Sequence, residues 1–151
     1  MSGYRFKLPT IILGLTIALA CASSTVESRT GSFQVTGTFN GIQTGTANGV
    51  AFEDEQVVFL LIEVGDSVTG TYDVTGLLGG DFFGSIDQTD PNATFVDFVM
   101  NQIDPCIGTF TGRAEARAGI GISGRVTVAL AGAYAGTDCD GDVDANFFVQ
   151  N

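Results

Sequence analysis

The chain has no histidine and no tryptophan, and only three proline and three cysteine residues in 151. Without histidine, no Ser-His-Asp or Cys-His nucleophile system can be assembled within it. The commonest side-chain ligand for transition metals is missing for the same reason. No Cys-x-x-Cys pair occurs, which removes the usual thiol–disulfide exchange motif. No serine occupies a Gly-x-Ser-x-Gly elbow, and no glycine loop has the pattern that cradles phosphates. Basic residues are scarce: six against 17 acidic, a formal charge of −11. Such a body repels nucleic-acid phosphates and anionic headgroups, so no nucleic-acid partner is expected. The acidity serves solubility in the plainest reading, and attraction of cations or a basic partner in the sharper one.

What is abundant is glycine, with 21 residues, and phenylalanine, with 12. Glycine, phenylalanine, valine and threonine together suit short strands and tight turns better than helices. Charge is also unevenly placed. Arg5 and Lys7 lie in the first ten residues, whereas every Asp and Glu lies at Glu27 or later.

The first 21 residues have three zones: a basic stretch to Lys7, an uncharged apolar stretch over residues 8–20, and small residues meeting Cys21. This is the layout of a secretory signal peptide, which predicts a signal-peptide helix over 1–20. The apolar stretch is too short to cross a bilayer comfortably. Ala18-Leu19-Ala20-Cys21 resembles the lipobox of bacterial lipoproteins. That resemblance implies a diacylglycerol on the Cys21 thiol, cleavage before Cys21 and acylation of the new amino terminus. Palmitate-type chains would then hold the protein on a membrane. In many Gram-negative lipoproteins a non-Asp residue after the cysteine accompanies outer-membrane sorting, so with Ala22 there the resemblance implies the outer membrane. Secretion into the periplasm or medium without lipid is the alternative, because Ala18-Leu-Ala20 and Ala20-Cys-Ala22 also fit a small-x-small cleavage site. Cleavage would remove Arg5 and Lys7 and leave 17 acids against four Arg, a charge of −13. Residues 21–31, small and polar after the cysteine, read as a flexible tether.

With Cys21 carrying lipid, Cys106 and Cys139 remain as an even pair. In an oxidising compartment that pair is expected as a disulfide. It would close a loop of about 34 residues and contribute roughly 3–4 kcal/mol by the chain-entropy account.

From residue 32 to 151 the apolar residues alternate with period two, the signature of half-buried strands. Phe33, Val35, Gly37 and Phe39 share a face; so do Val68, Gly70, Tyr72 and Val74; so do Gly108, Phe110, Gly112, Ala114 and Ala116. Ile120 to Tyr134 keep one register, and Val143, Ala145, Phe147 and Val149 finish the chain. Strands are expected over 32–40, 42–52 (the weakest), 56–64, 67–75, 80–88, 93–101, 106–117, 120–134 (one strand or two) and 143–150. Gly65-Asp66-Ser67, Gly79-Gly80, Asp90-Pro91-Asn92, Asp104-Pro105 and Asp140-Gly141-Asp142 mark reversals. The fold class is all-β: an antiparallel meander of about eight strands forming a small closed or partly open barrel, or a two-sheet sandwich. Glycines on the apolar face, each followed two places on by a large residue (Gly70/Tyr72, Gly132/Tyr134), suit a strongly curved sheet. Similarity to avidin or lipocalin barrels is architectural only and carries over no ligand. A membrane-spanning barrel would also alternate, but the C-terminus, Phe147 to Asn151, lacks its terminal aromatic.

Asp138, Asp140, Asp142 and Asp144 form the candidate metal cluster. Alternate carboxylates suit a hard cation such as Ca2+. The spacing departs from a calcium loop: Gly141 follows the second acid, and Val149 stands where the closing Glu belongs. An acidic turn beside a disulfide is the plainer reading. Glu53-Asp54-Glu55 reads as a solvated loop. The expected function is a non-enzymatic binding or structural module of the cell envelope, anchored by lipid, with a protein or small-molecule partner. The alternatives are a calycin-like barrel for a small apolar ligand and an envelope enzyme using paired carboxylates.

Overall fold

Two-residue alternation becomes eight strands in the computed structural model, which describes residues 33–75, 78–90, 92–120 and 124–151. The expected signal peptide, Cys21 and the tether over 21–31 lie outside the described residues. The strands are β1 (Gly37–Ala47), β2 (Val50–Val64), β3 (Ser67–Val74), β4 (Leu78–Asp87), β5 (Thr94–Asp104), β6 (Gly108–Ile120), β7 (Val126–Asp138) and β8 (Gly141–Gln150). Each pairs antiparallel with the next, and β8 returns to β1 from Asn40↔Gln150 to Ala47↔Val143. The result is a closed eight-stranded meander, so the sheet has no free edge strand to template further pairing. The partly open barrel and the sandwich are thereby set aside.

Inward positions carry the apolar side chains. Val57, Phe59 and Leu61 alternate inward along β2, Val96, Phe98 and Met100 along β5, and Val143, Ala145, Phe147 and Val149 along β8. Outward positions mix Thr, Asn, Ala and charged residues with exposed apolar ones such as Leu60, Ile62, Phe83 and Phe148. Aromatic rings fill the middle. Phe59 meets Phe147 edge-on at 5.2 Å between centroids, and Phe82 stacks on Phe98 at 5.0 Å. Burying such a ring stabilises by about 1.5–3 kcal/mol, so this cluster is the main reason the barrel closes around side chains.

Curvature comes from inward glycines. A Cβ on Gly70 would strike the Leu60 carbonyl oxygen of β2, and one on Gly41 the Phe148 carbonyl oxygen of β8. The neighbouring backbone has coiled into the space a side chain would take.

The strands depart from the expectation most at three places, besides shifts of a few residues at other ends such as the start of β1 at Gly37 rather than 32. The break expected at residue 41 does not exist: β1 runs unbroken to Ala47, and the chain turns at Asn48-Gly49. Both have positive φ, 49° and 76°, as a two-residue hairpin turn with the twist of its flanking strands requires. Glu53-Asp54-Glu55 is a bulge inside β2 rather than a loop. Pairing passes from Gln43↔Glu55 to Gly45↔Phe52, and Asp54 has φ 55°. The long stretch 120–134 is divided. β6 continues to Ile120, β7 begins at Val126, and both residues project into solvent at 81% and 60% exposure.

Phe33 packs against the core, and Val35 is fully buried in it. The Val35 N–H donates to Glu63 Oε2 at 2.6 Å. Asn151 Oδ1 accepts the Val128 N–H at 2.8 Å. The lead-in to β1 and the C-terminus thus close one end of the barrel. The other end carries the cysteines.

Candidate functional site at the disulfide end

The 48–49 turn, the connection after Thr75, the Pro105–Ile107 loop and the Cys139–Asp140 turn share this end. Cys106 and Cys139 form a disulfide with their Cα atoms 6.0 Å apart. It ties the β5–β6 loop to the β7–β8 turn. The Cys139 N–H also points at Cys106 Sγ, at 3.4 Å.

Asp138 shapes the turn. Its Oδ1 accepts the N–H groups of Asp140 at 2.8 Å and of Gly141 at 3.1 Å, an Asx turn made by a short side chain on its own backbone. Asp142 and Asp144 lie on the outward face of β8, opposite Thr137 and Ala135. The four aspartates of the candidate metal cluster therefore do not converge. Among the described residues, the one set of three metal-type side chains within ligand distance is Cys106, Cys139 and Asp140. Its two sulfurs are bonded to each other and supply no thiolate.

Carboxylates dominate the rim. Glu53, Asp54 and Glu55 stand at the start of β2, and Asp73, Asp81 and Asp104 on the strand halves that run to this end. Asp138, Asp140, Asp142 and Asp144 complete the set, with no Lys or Arg among them. The described arginines are elsewhere. Arg113 forks onto both Asp97 oxygens at 2.8 Å, reaches Asp87 at 2.6 Å and lies 4.3 Å over the Phe95 ring. Arg117 holds Glu115 at 2.7 Å. These are exposed pairs, each worth little in stability.

The interior beneath this rim is where polar side chains enter the barrel. The Tyr134 hydroxyl donates to Gln43 Oε1 at 2.8 Å, and Gln43 Nε2 donates to Glu55 Oε2 at 3.3 Å. On the other side, Gln102 Nε2 faces Cys106 Sγ at 3.7 Å. Tyr72 Oη and Gln102 Oε1 are buried with no hydrogen-bond partner among the described residues. Both phenols are pushed well above the ordinary tyrosine range, first by burial; Asp138 adds to the effect on Tyr72, and Tyr72 to that on Tyr134. They are neutral hydrogen-bonding groups at physiological pH. The set of two amides, two phenols and nearby carboxylates can bind and orient; its phenols are too basic to ionise as nucleophiles near neutrality.

These residues were open to sequence reasoning by one signal. Gln43 continues the inward series Gly37, Phe39, Gly41, and Gln102 the series Val96, Phe98, Met100. A polar residue at an apolar position of a strand is a candidate on that ground alone. Tyr72 and Tyr134 gave no such signal, since tyrosine also serves as an apolar filler. No protein-family model, curated protein or solved structure matches this chain.

Proposed function

We propose that this chain is an exported lipoprotein of the cell envelope whose barrel is a non-catalytic binding module, anchored at Cys21 and presenting its disulfide end as the binding face. The supporting observation is the distribution of polar groups inside the barrel. The middle is filled by Phe59, Phe82, Phe98, Phe110 and Phe147, while the unpartnered polar atoms gather at one mouth. Ligand sites on barrels favour such mouths. The lead-in to β1 leaves the opposite end. A tether at 21–31 would therefore hold that end toward the membrane and turn the disulfide end away from it. A calycin-like barrel for a small apolar ligand is the second reading, favoured by the closed eight-stranded meander.

The anchor is tested by the mass of the mature N-terminus and by detergent phase partitioning. Acylated Cys21 and partition into the detergent phase are expected, with a Cys21→Ser variant moving to the aqueous phase. A mature chain starting at Ser23, or carrying a free Cys21, would overturn the anchor.

A further inference from the structure

The disulfide end combines two features that do not follow from one another. Among the described residues, its rim carries carboxylates without a base. Beneath it, Tyr72 and Gln102 are 3% and 2% exposed and hold unpartnered oxygens. Leaving a polar atom buried and unpaired is costly, and the cost is incurred twice in one place. Phenylalanine already fills neighbouring interior positions and would remove the first of these costs at position 72. The arrangement is a local departure from an otherwise apolar interior, and such departures concentrate at functional sites.

The two orphans are neighbours across one inward position. Tyr72 on β3 pairs with Gly80 on β4, and Gly80 pairs with Gln102 on β5. All three point inward, and the middle one has no side chain. A Cβ at Gly80 would itself strike the Asn101 carbonyl oxygen. The Gln102 amide nitrogen is turned to Cys106 Sγ, so its carbonyl oxygen is the free side. Asp138 lies beside Gly108, the β6 partner of Gln102, and its charge adds to the upward push on the Tyr72 phenol. Its Oδ1 is taken by the turn, which leaves Oδ2. Each of these groups can accept a hydrogen bond: an amide carbonyl, a phenol through its lone pairs (its O–H also donates) and a carboxylate oxygen.

Acceptors under an acidic rim select a cation. Ca2+ takes six to eight oxygens, more than this set offers, and the aspartates that would add to it point outward. A primary ammonium carries three N–H donors and no acceptor, which matches three acceptors one for one. We propose that the disulfide end binds a primary ammonium group, held by Gln102 Oε1, Tyr72 Oη and Asp138 and drawn in by the surrounding carboxylates. This deepens the binding-module reading above and rests on it. The ammonium belongs to a lysine side chain of a partner protein or to a free alkyl amine, two sources with one chemistry.

The test is calorimetric titration of the full-length protein in detergent with 1,5-diaminopentane, Nα-acetyl-lysine amide and tetramethylammonium. Saturable one-to-one binding of a primary amine is expected. Tetramethylammonium, which has the charge but no N–H, should bind at least tenfold more weakly. Tyr72→Phe should keep the fold and lower the amine affinity about tenfold, the loss of one charge-assisted hydrogen bond. Tighter binding of the lysine compound assigns a protein partner, and tighter binding of the diamine a free amine. Absence of saturation by both amines would overturn the proposal. So would tetramethylammonium binding equally well, or an unchanged affinity in Tyr72→Phe. The mass of Cys21 in the same sample reports the anchor separately: an acylated chain that ignores both amines overturns the ammonium site alone.

Discussion

Gly70 and Gly119 have the same side chain and opposite roles. At Gly70 an added Cβ runs into the Leu60 carbonyl oxygen, whereas at Gly119 its nearest neighbour is Thr127 Oγ1 at 3.8 Å. Gly70→Ala should therefore force backbone apart and cost about 2–3 kcal/mol, in the range of overpacked interiors. Gly119→Ala should fall within about 0.5 kcal/mol of the parent. Urea denaturation of the two variants checks this, and equal losses would refute the close-approach account. A second residue-scale effect belongs to Asp87. Its carboxyl is held at about 2, first by the Thr89 backbone N–H and then by Arg113. A depressed folded value contributes stability above the unfolded value of about 3.8, lost as pH falls through about 2. Asp87→Asn should flatten the stability profile between about pH 4 and pH 2, measured by thermal melts, and leave its shape above pH 5 unchanged.

At the scale of elements, the legible parts are those where burial decides. The series Val68-Gly70-Tyr72-Val74 and Val143-Ala145-Phe147-Val149 were readable because one side of each strand faces a filled interior. The β1–β2 turn also carried a signature, Asn48-Gly49, the strongest two-residue hairpin signal, yet the expected strand 42–52 ran through it. The weak alternation around it, with polar Gln43 inward and the bulge at Asp54, hid the continuity of β1. That bulge places a non-glycine residue at positive φ, which composition does not announce. In the candidate site, the Cys106–Cys139 pair was legible from the cysteine count, given the expectation of an oxidising compartment. The orphaned oxygens were not, because they depend on which strands become neighbours across Gly80. The disulfide joins two connections of a barrel that already closes through β1 and β8. Replacing both cysteines by alanine should preserve the barrel and lower its stability by about 3–4 kcal/mol. Far-ultraviolet circular dichroism at 20 °C, with denaturant melts, separates the two effects. Loss of the strand spectrum would mean that the crosslink is needed for closure.

For the molecule as a whole, charge is sorted along the barrel axis. Arg113 and Arg117 offset Asp87, Asp97 and Glu115 away from the disulfide. The disulfide end has no such relief, and its carboxylates repel one another through water. That repulsion opposes the compact state and is screened by salt, over about 10 Å at 0.1 M and about 3 Å at 1 M. Asp142 and Asp144 are outward on β8 and take no part in the Asx turn of Asp138. Converting both to asparagine removes charge without removing packing. The doubly substituted chain should melt above the parent in 10 mM salt, and the difference should shrink toward zero at 1 M. Asp97→Asn should do the opposite, because Asp97 is paired with Arg113: it lowers the melting temperature at low salt and loses that effect as salt rises. A parent protein whose stability ignored salt, with both variants neutral throughout, would mean that the carboxylates are too well hydrated to sense one another. The attraction of the same end for cations would then lack its long-range part and rest on direct contacts beneath the rim alone. Salt titration of the melts is therefore also a measurement of how far from the barrel an ammonium group begins to be drawn in.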